Sequence, residues 1–348
     1  MSPEVPPQPP LDAQAFVRDL LLRASRAGAS DVYWIPSADG MDVRLRCDGV
    51  QRVEARLSAD DGATCVTCIK VLARLLTYRT RIAQDGVIAA DGAEQPEMRV
   101  SVMPTLHGER VAVRLLHAGA RPRRIEDLGF PAPAATALKR MLEPASGLIV
   151  LTGPTGSGKT TTIYAMIREL LARDMDPASI VTIEDPVECE IPGVSQTAVQ
   201  PESGWDYAAA FRSALRQDVK TIVVGEMRDR EVVQVTLDAA LTGHRVITTF
   251  HAGDIAAIYA RILHQGFEPF LVAAAVTGTV TQRLAPAAQG GRMPVAATLI
   301  PDDDWREFVA ANPGLGELRK RLRERPASDL AAVGADLVAS GAIRHFFA

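Results

Sequence analysis

The residues best suited to chemistry are Gly153, Pro154, Thr155, Gly156, Ser157, Gly158, Lys159 and Thr160, with Thr161 just beyond, a run that satisfies the spacing G-x-x-x-x-G-K-[ST]. Its glycines allow consecutive backbone N–H groups to turn inward as an anion nest, and a helix opening at Lys159 adds the positive end of its dipole. In such a loop Lys159 reaches the β- and γ-phosphates of a nucleotide, and the Thr160 hydroxyl holds Mg²⁺. The loop follows an apolar strand, GLIVLT, and opens a helix, which is the context the spacing requires. ATP or GTP, with Mg²⁺, is the ligand these residues predict.

Two further acids stand at the ends of apolar strands, where an open α/β sheet places its ligands. VTIEDP offers Glu184 and Asp185 before Pro186 stops the strand, and TIVVGEMRD offers Glu226, set one glycine beyond the strand. Hydrolysis needs one acid near Mg²⁺ and its waters and a second that orients or deprotonates the attacking water. Solvated turn carboxylates are the plainer reading, but two acids at strand ends of one such sheet fit the two posts. His251 follows VITTF and His244 precedes it; both readings stay open here, a structural imidazole or one that reports a γ-phosphate. Arg99, Arg110 and Arg114 occupy the polar alternation of two strands, which can place all three on one face opposite Val100, Val111 and Val113. That face is either a solvated edge or a source of guanidinium brought to phosphate from another domain or subunit.

The elements that must position these groups fall into two patterns. Residues 11 to 27 read as an amphipathic helix capped by Asp12 and stopped by Gly28. MDVRLRCDGVQRV then alternates with period two around Asp48-Gly49, a hairpin signal. A helix follows at about 62 to 77, then the strands EMRVSVM and RVAVRLL joined by the Pro104 to Glu109 turn. This predicts a smaller α+β domain over 12–118, behind a proline-rich disordered lead at 1–11. AGARPRRIEDLG reads as a linker, 119–128. Beyond it strands and helices alternate: GLIVLT, a helix from Lys159, SIVTIED, a helix near 206 to 217, TIVVG, a helix over 229 to 242, RVITTF and a helix from about 254. Nearly all-apolar strands alternating with helices predict a mostly parallel sheet covered on both faces, over 129–300. A charged, mostly helical segment occupies 301–348.

The 348 residues carry a net charge of −4, so no basic field draws the whole chain onto nucleic acid or anionic lipid, and aromatics make up only 5%. No nucleic acid is therefore expected as a partner, although a strand-translocating motor on a similar phosphate-loop core is the rival class. Four scattered cysteines, Cys47, Cys65, Cys68 and Cys189, do not make a disulfide scaffold, and Cys65-x-x-Cys68 lies in a helical pattern without a second pair, favouring apolar packing over metal. MSPEVPPQPP lacks the features of a signal peptide, and the run Phe270 to Val280 is shorter than the ~20 residues of a spanning helix. A cytoplasmic location is expected.

GPTGSGKTTTIYA, TIEDPVE, LRQDVKTIVVGEMRD, TGHRVITTFHAGD and TQRL together resemble the Walker A, Asp box, Walker B and His box of the type II secretion and type IV pilus motor ATPases. GASDVYW, RLRCDGV, QDGVI and RVSVMPTLHGERVAVRLL resemble the domain that precedes them in that family, so the likeness runs from about residue 15 to 290. It implies a RecA-like P-loop ATPase domain behind a smaller PAS-like α+β domain. It also implies a homo-hexamer with ATP between the domains, and hydrolysis that drives pilin or pseudopilin assembly through an inner-membrane platform protein. By resemblance Lys159 and Thr160 serve nucleotide and Mg²⁺, Glu184 activates water, and Glu226 is the Walker B acid that reaches the metal, partly through water. His244 and His251 form the His box, and Arg99, Arg110 and Arg114 contact phosphate. Three departures stand out. Val219-Lys220 replaces the usual Pro-Asp; APAAQGGRMPVAATL lacks the four cysteines of a zinc module, so no zinc is expected; and only a short lead precedes the first helix. TTTIYAM and IPGVSQTAV resemble the secretion and extension branch, whereas the short lead and missing cysteines resemble retraction motors.

Overall fold

A computed structural model describes residues 11–47, 49–92, 95–116 and 124–347. The chain divides into two compact units, Met1–Arg121 and Pro122–Ala348.

In the first unit α1 (Ala13–Arg26) is followed by β1 (Asp31–Ser37), β2 (Gly40–Cys47), β3 (Val50–Leu57), α2 (Ala59–Leu72), β4 (Gln84–Ile88), β5 (Glu97–Thr105) and β6 (Gly108–Leu116). The strands form one antiparallel sheet in the order β3-β2-β1-β6-β5-β4. Alternation sends Val32, Trp34, Val43, Val100, Val111 and Val113 into a core with Leu20 and Leu21 of α1 and Val66 and Ile69 of α2. Asp12 caps α1 by accepting from the N–H groups of Gln14 and Ala15. Asp48 lies outside the described residues, but β2 ends at Cys47 and β3 starts at Val50, so the expected hairpin is present around it.

The second helix starts earlier and ends earlier than the sequence pattern predicts. Ser58 caps it by accepting from Asp61 N–H at 3.1 Å, and Arg74, at φ 57, ends it in the left-handed region. Gly62, inside its first turns, is needed because a Cβ there would come within 2.8 Å of the Met41 side chain. Cys65 is buried against this sheet, and burial pushes its thiol up to about 12, as befits apolar packing. Lys70 is 1% exposed, its ammonium donating to Glu109 Oε1 at 2.8 Å and to the Arg79 carbonyl at 3.0 Å.

The second unit contains α3 (Ala132–Met141), β7 (Gly147–Thr152), α4 (Lys159–Ala172), β8 (Ile180–Glu184), β9 (Ser195–Ala198), α5 (Tyr207–Ala214), β10 (Thr221–Val224) and α6 (Arg230–Leu241). There follow β11 (Arg245–Thr249), α7 (Ile255–His264), α8 (Pro269–Ala275), β12 (Val276–Pro286), β13 (Arg292–Leu299), α9 (Asp303–Ala310), α10 (Leu315–Arg323) and α11 (Leu330–Ala339). The sheet has seven strands in the order β13-β12-β7-β11-β10-β8-β9, parallel except for β13, which runs antiparallel to β12. Successive residues feed opposite cores. Leu148, Val150, Ile222, Val224 and Val246 meet the helices α5 to α11, while Ile149, Leu151, Val223 and Ile247 meet α3 and α4. That double burial is why these strands are apolar without alternation.

Of the linker 119–128, residues 119–123 lie outside the described ones, whereas Ile125–Leu128 is a 3₁₀ turn whose Ile125 is fully buried beside α3. From the helices beyond 301, Trp305, Val309, Leu318, Leu322 and Leu330 belong to the sheet's own core. The apolar run from Phe270 is split between α8 and β12. Among the described residues no helix is long and apolar enough to cross a membrane.

Candidate functional site

Every parallel strand of the second unit ends on the same edge of the sheet, and there the chemistry collects. The loop from Gly153 to Gly158 leaves β7 and enters α4, with Gly153, Gly156 and Gly158 all at positive φ (146°, 77° and 89°). Gly153 is further constrained, since a Cβ would overlap the Gln282 carbonyl. Lys159 folds back so that its ammonium donates to the carbonyls of Gly153 at 2.8 Å and Pro154 at 3.1 Å. Burial holds its pKa below the usual lysine value, and the Glu226 carboxylate partly opposes that shift.

The acids sit on neighbouring strands. Glu184 is the last residue of β8 and is 5% exposed. Tyr164 of α4 donates to its Oε2 at 2.5 Å, while Thr182 at 2.6 Å and Gln196 at 3.2 Å donate to Oε1. Such a fully bonded carboxylate is fixed in place; burial, then the Glu184 contact, pushes the Tyr164 hydroxyl far up, so it stays a donor. Glu226 stands past Gly225, whose N–H donates to the Ile183 carbonyl of β8 at 2.8 Å. A Cβ on residue 225 would come 2.9 Å from the Tyr207 hydroxyl, so the chain passes close to that side chain here. Glu226 accepts from Arg228 Nε at 3.0 Å and lies 2.8 Å from His251 Nε2. Thr160, Tyr164, Glu184, Asp185, Glu226 and Arg228 line one cavity of ≈ 130 Å³. Its hydroxyl and carboxylate oxygens suit a hard cation such as Mg²⁺.

His251 is brought beside Glu226 by β11, and its carbonyl accepts from Arg261. The loop it stands on is tied to the phosphate loop by Ala252, whose N–H donates to Thr152 Oγ1 at 3.0 Å. His244 is at the other end of the strand, as its place before VITTF implies. It precedes β11 at the opposite edge, beside the buried Arg245, and the strand between is about 16 Å long at ~3.3 Å per residue. Val219-Lys220 lies at that same far edge, where Val219 is buried in the core. The substitution therefore leaves Glu226 untouched.

Sequence reasoning missed Gln282. It is 2% exposed on β12; its Nε2 donates to the Ser157 carbonyl at 2.8 Å and its Oε1 accepts from Thr162 Oγ1 at 2.8 Å, clamping the phosphate loop to α4. Only the position of this glutamine within TQRL hinted at such a duty. Tyr164, Gln196 and Arg228 were missed as well, because nothing in their spacing marks them as partners of Glu184 and Glu226.

In the first unit Arg99 and Arg114 are direct cross-strand partners, and Arg110 is opposite Met103, so the three arginines share one face of the sheet. Arg114 Nε donates to Asp31 Oδ1 at 3.1 Å. Arg99 and Arg114 line a concavity of ≈ 570 Å³ with Asp31, Tyr33, Asp85 and Ser101.

The chain is similar to known proteins over most of its length. The family model described as "Type II/IV secretion system protein" matches residues 13–291. The type IV pilus assembly ATPase PilB of Thermus thermophilus is 39% identical across 81% of this chain and 32% of its own length. The type II secretion system protein HxcR of Pseudomonas aeruginosa is 35% identical across 94% of this chain and 74% of its own. The chain thus spans about a third of the first relative and three quarters of the second. The solved pilus retraction motor PilT with bound ADP aligns over 96% of this chain and 94% of its own, with a TM-score of 0.69 and 26% identity.

Proposed function

The chain belongs to the type II/IV secretion system protein family, and on that premise we propose that it is a Mg²⁺-dependent ATP hydrolase, a motor that powers pilin or pseudopilin assembly. The observation that carries this reading is the meeting of Thr160, Glu184 and Glu226 in one cavity beside the glycine loop. Strand order β12-β7-β11-β10-β8, with the loop on β7, supports a RecA-like core, and the six-stranded sheet on two helices supports a PAS-like first unit.

In this reading the N–H groups from Gly153 to Thr161 cradle the phosphates and Lys159 turns from its loop carbonyls to the β- and γ-phosphates. Thr160 and, through water, Glu226 would hold Mg²⁺, which would supply charge neutralisation at the phosphates. Glu184 is the base: its fixed carboxylate orients the attacking water and takes its proton. His251, in contact with Glu226, couples the γ-phosphate to the loop after β11. Arg99, Arg110 and Arg114 contact phosphate from the smaller unit of the same or another copy within a hexamer, which works beside the inner membrane through a platform protein. Likeness to PilT supports retraction as a second reading.

Phosphate release from ATP tests the hydrolase. Turnover is expected with Mg²⁺ and is lost with EDTA or on Lys159→Ala; turnover by Lys159→Ala equal to wild type contradicts the reading.

A further inference from the structure

The phosphate loop has a second flank, away from Glu184 and Glu226. There Pro154 to Ser157 share a cavity of ≈ 300 Å³ with Arg283 and Leu284 of β12 and with His345 and Phe347. Residues 343–347 form an anchored strap. Ile343 is 2% exposed and bridges Ala287, Arg344 N–H donates to the Pro286 carbonyl at 3.0 Å, and Arg283 Nη1 donates to the Phe347 carbonyl at 3.3 Å. Phe346 fills a notch over α11 that exists because residue 334 is glycine, where any Cβ would overlap the ring. His345 and Phe347 are different. Both are exposed, Phe347 by 78%, with ring centroids 5.5 Å apart. An apolar ring held out on a braced backbone gains nothing from the fold and is free to cover a ligand.

The direction of a nucleotide across the loop follows from the chemistry on either side. Its γ end belongs with Lys159 and the acids, so its nucleoside leaves towards the other flank. We propose that the strap is the base platform of the nucleotide site, with Phe347 stacking on the purine of ATP, His345 at its edge and Arg283 holding the strap to β12. This rests on the ATP assignment above and adds to it the group that distinguishes a nucleotide from bare polyphosphate.

Calorimetric titration of the full chain with Mg-ATP and with Mg-tripolyphosphate separates the two assignments. Wild type binds both. Phe347→Ala is expected to weaken ATP about tenfold, the usual loss when a stacking ring is removed, with tripolyphosphate unchanged; Phe347→Trp restores ATP binding. Unchanged ATP affinity in Phe347→Ala, or equal weakening of both ligands, overturns the platform and leaves the ATP assignment standing. Wild type that binds neither ligand overturns both.

Discussion

Glu226 is gripped by Arg228 and His251, and the same carboxylate is felt by Lys159. Removing its charge while keeping its shape therefore has two separable consequences. For Glu226→Gln, turnover should fall on the order of a hundredfold or more, with Mg-ATP affinity at neutral pH within about threefold of wild type. The second effect is on pH. Burial lowers the Lys159 pKa and Glu226 opposes that by favouring the ammonium. Phosphate capture needs the charged form, present below that pKa and lost as pH rises through it. Without the carboxylate the pKa drops further, so the alkaline loss of ATP binding should move to lower pH in Glu226→Gln. A titration with the same midpoint in both proteins would show that Glu226 does not act on Lys159. At this scale the loop was legible because its spacing names it, and the two acids because each follows an apolar strand. Tyr164 and Gln196 were not, because they matter only through atoms that folding brings to Glu184.

At the scale of elements, β12 matters most for the loop, since Gln282 clamps the Ser157 carbonyl to the Thr162 hydroxyl. Gln282→Ala strands the buried Ser157 carbonyl, while Thr162 Oγ1 keeps the Gly158 carbonyl as an acceptor at 3.2 Å. An unpaired buried acceptor costs about 1–3 kcal/mol, so chemical denaturation should show the second unit weakened by roughly that amount, with a raised KM for ATP. A variant with wild-type stability and KM would remove Gln282 from any part in shaping the loop. Gly153→Ala should be harsher, because the new Cβ overlaps a backbone carbonyl that cannot move without shifting β12; ATP binding is expected to be lost while the first unit keeps its fold. Periodicity and caps revealed most helices and the four parallel strands β7, β8, β10 and β11. They concealed β12, whose start continues the apolar run of α8 without a break, and misplaced α2, whose glycine answers to Met41 across the core.

For the whole molecule, the two units have separate cores, one around Trp34 in the first and one on each face of the sheet in the second, of which the larger holds Trp305. Trp305→Ala should cost the second unit about 3–5 kcal/mol, read as a fall in its own unfolding midpoint. The arginine face of the first unit belongs to this scale too. Arg114→Ala, keeping the ATP affinity of wild type, should lower turnover at least about tenfold if a guanidinium from this face meets phosphate, and unchanged turnover would return the face to a solvated role. Mass measurement with Mg²⁺ and a non-hydrolysed ATP analogue should find six copies; a persistent monomer would exclude a hexamer. From sequence alone came the nucleotide loop, the two strand-end acids and the sheet with two covered faces, because each is written in residues adjacent in the chain: glycine spacing, an acid after an apolar run, strands without alternation. Tertiary structure alone decided that His251 meets Glu226, that Gln282 braces a loop more than a hundred positions earlier in the chain, and that His345 and Phe347 stand beside that loop. Such pairings depend on strand order and strand direction, which local residue patterns do not encode.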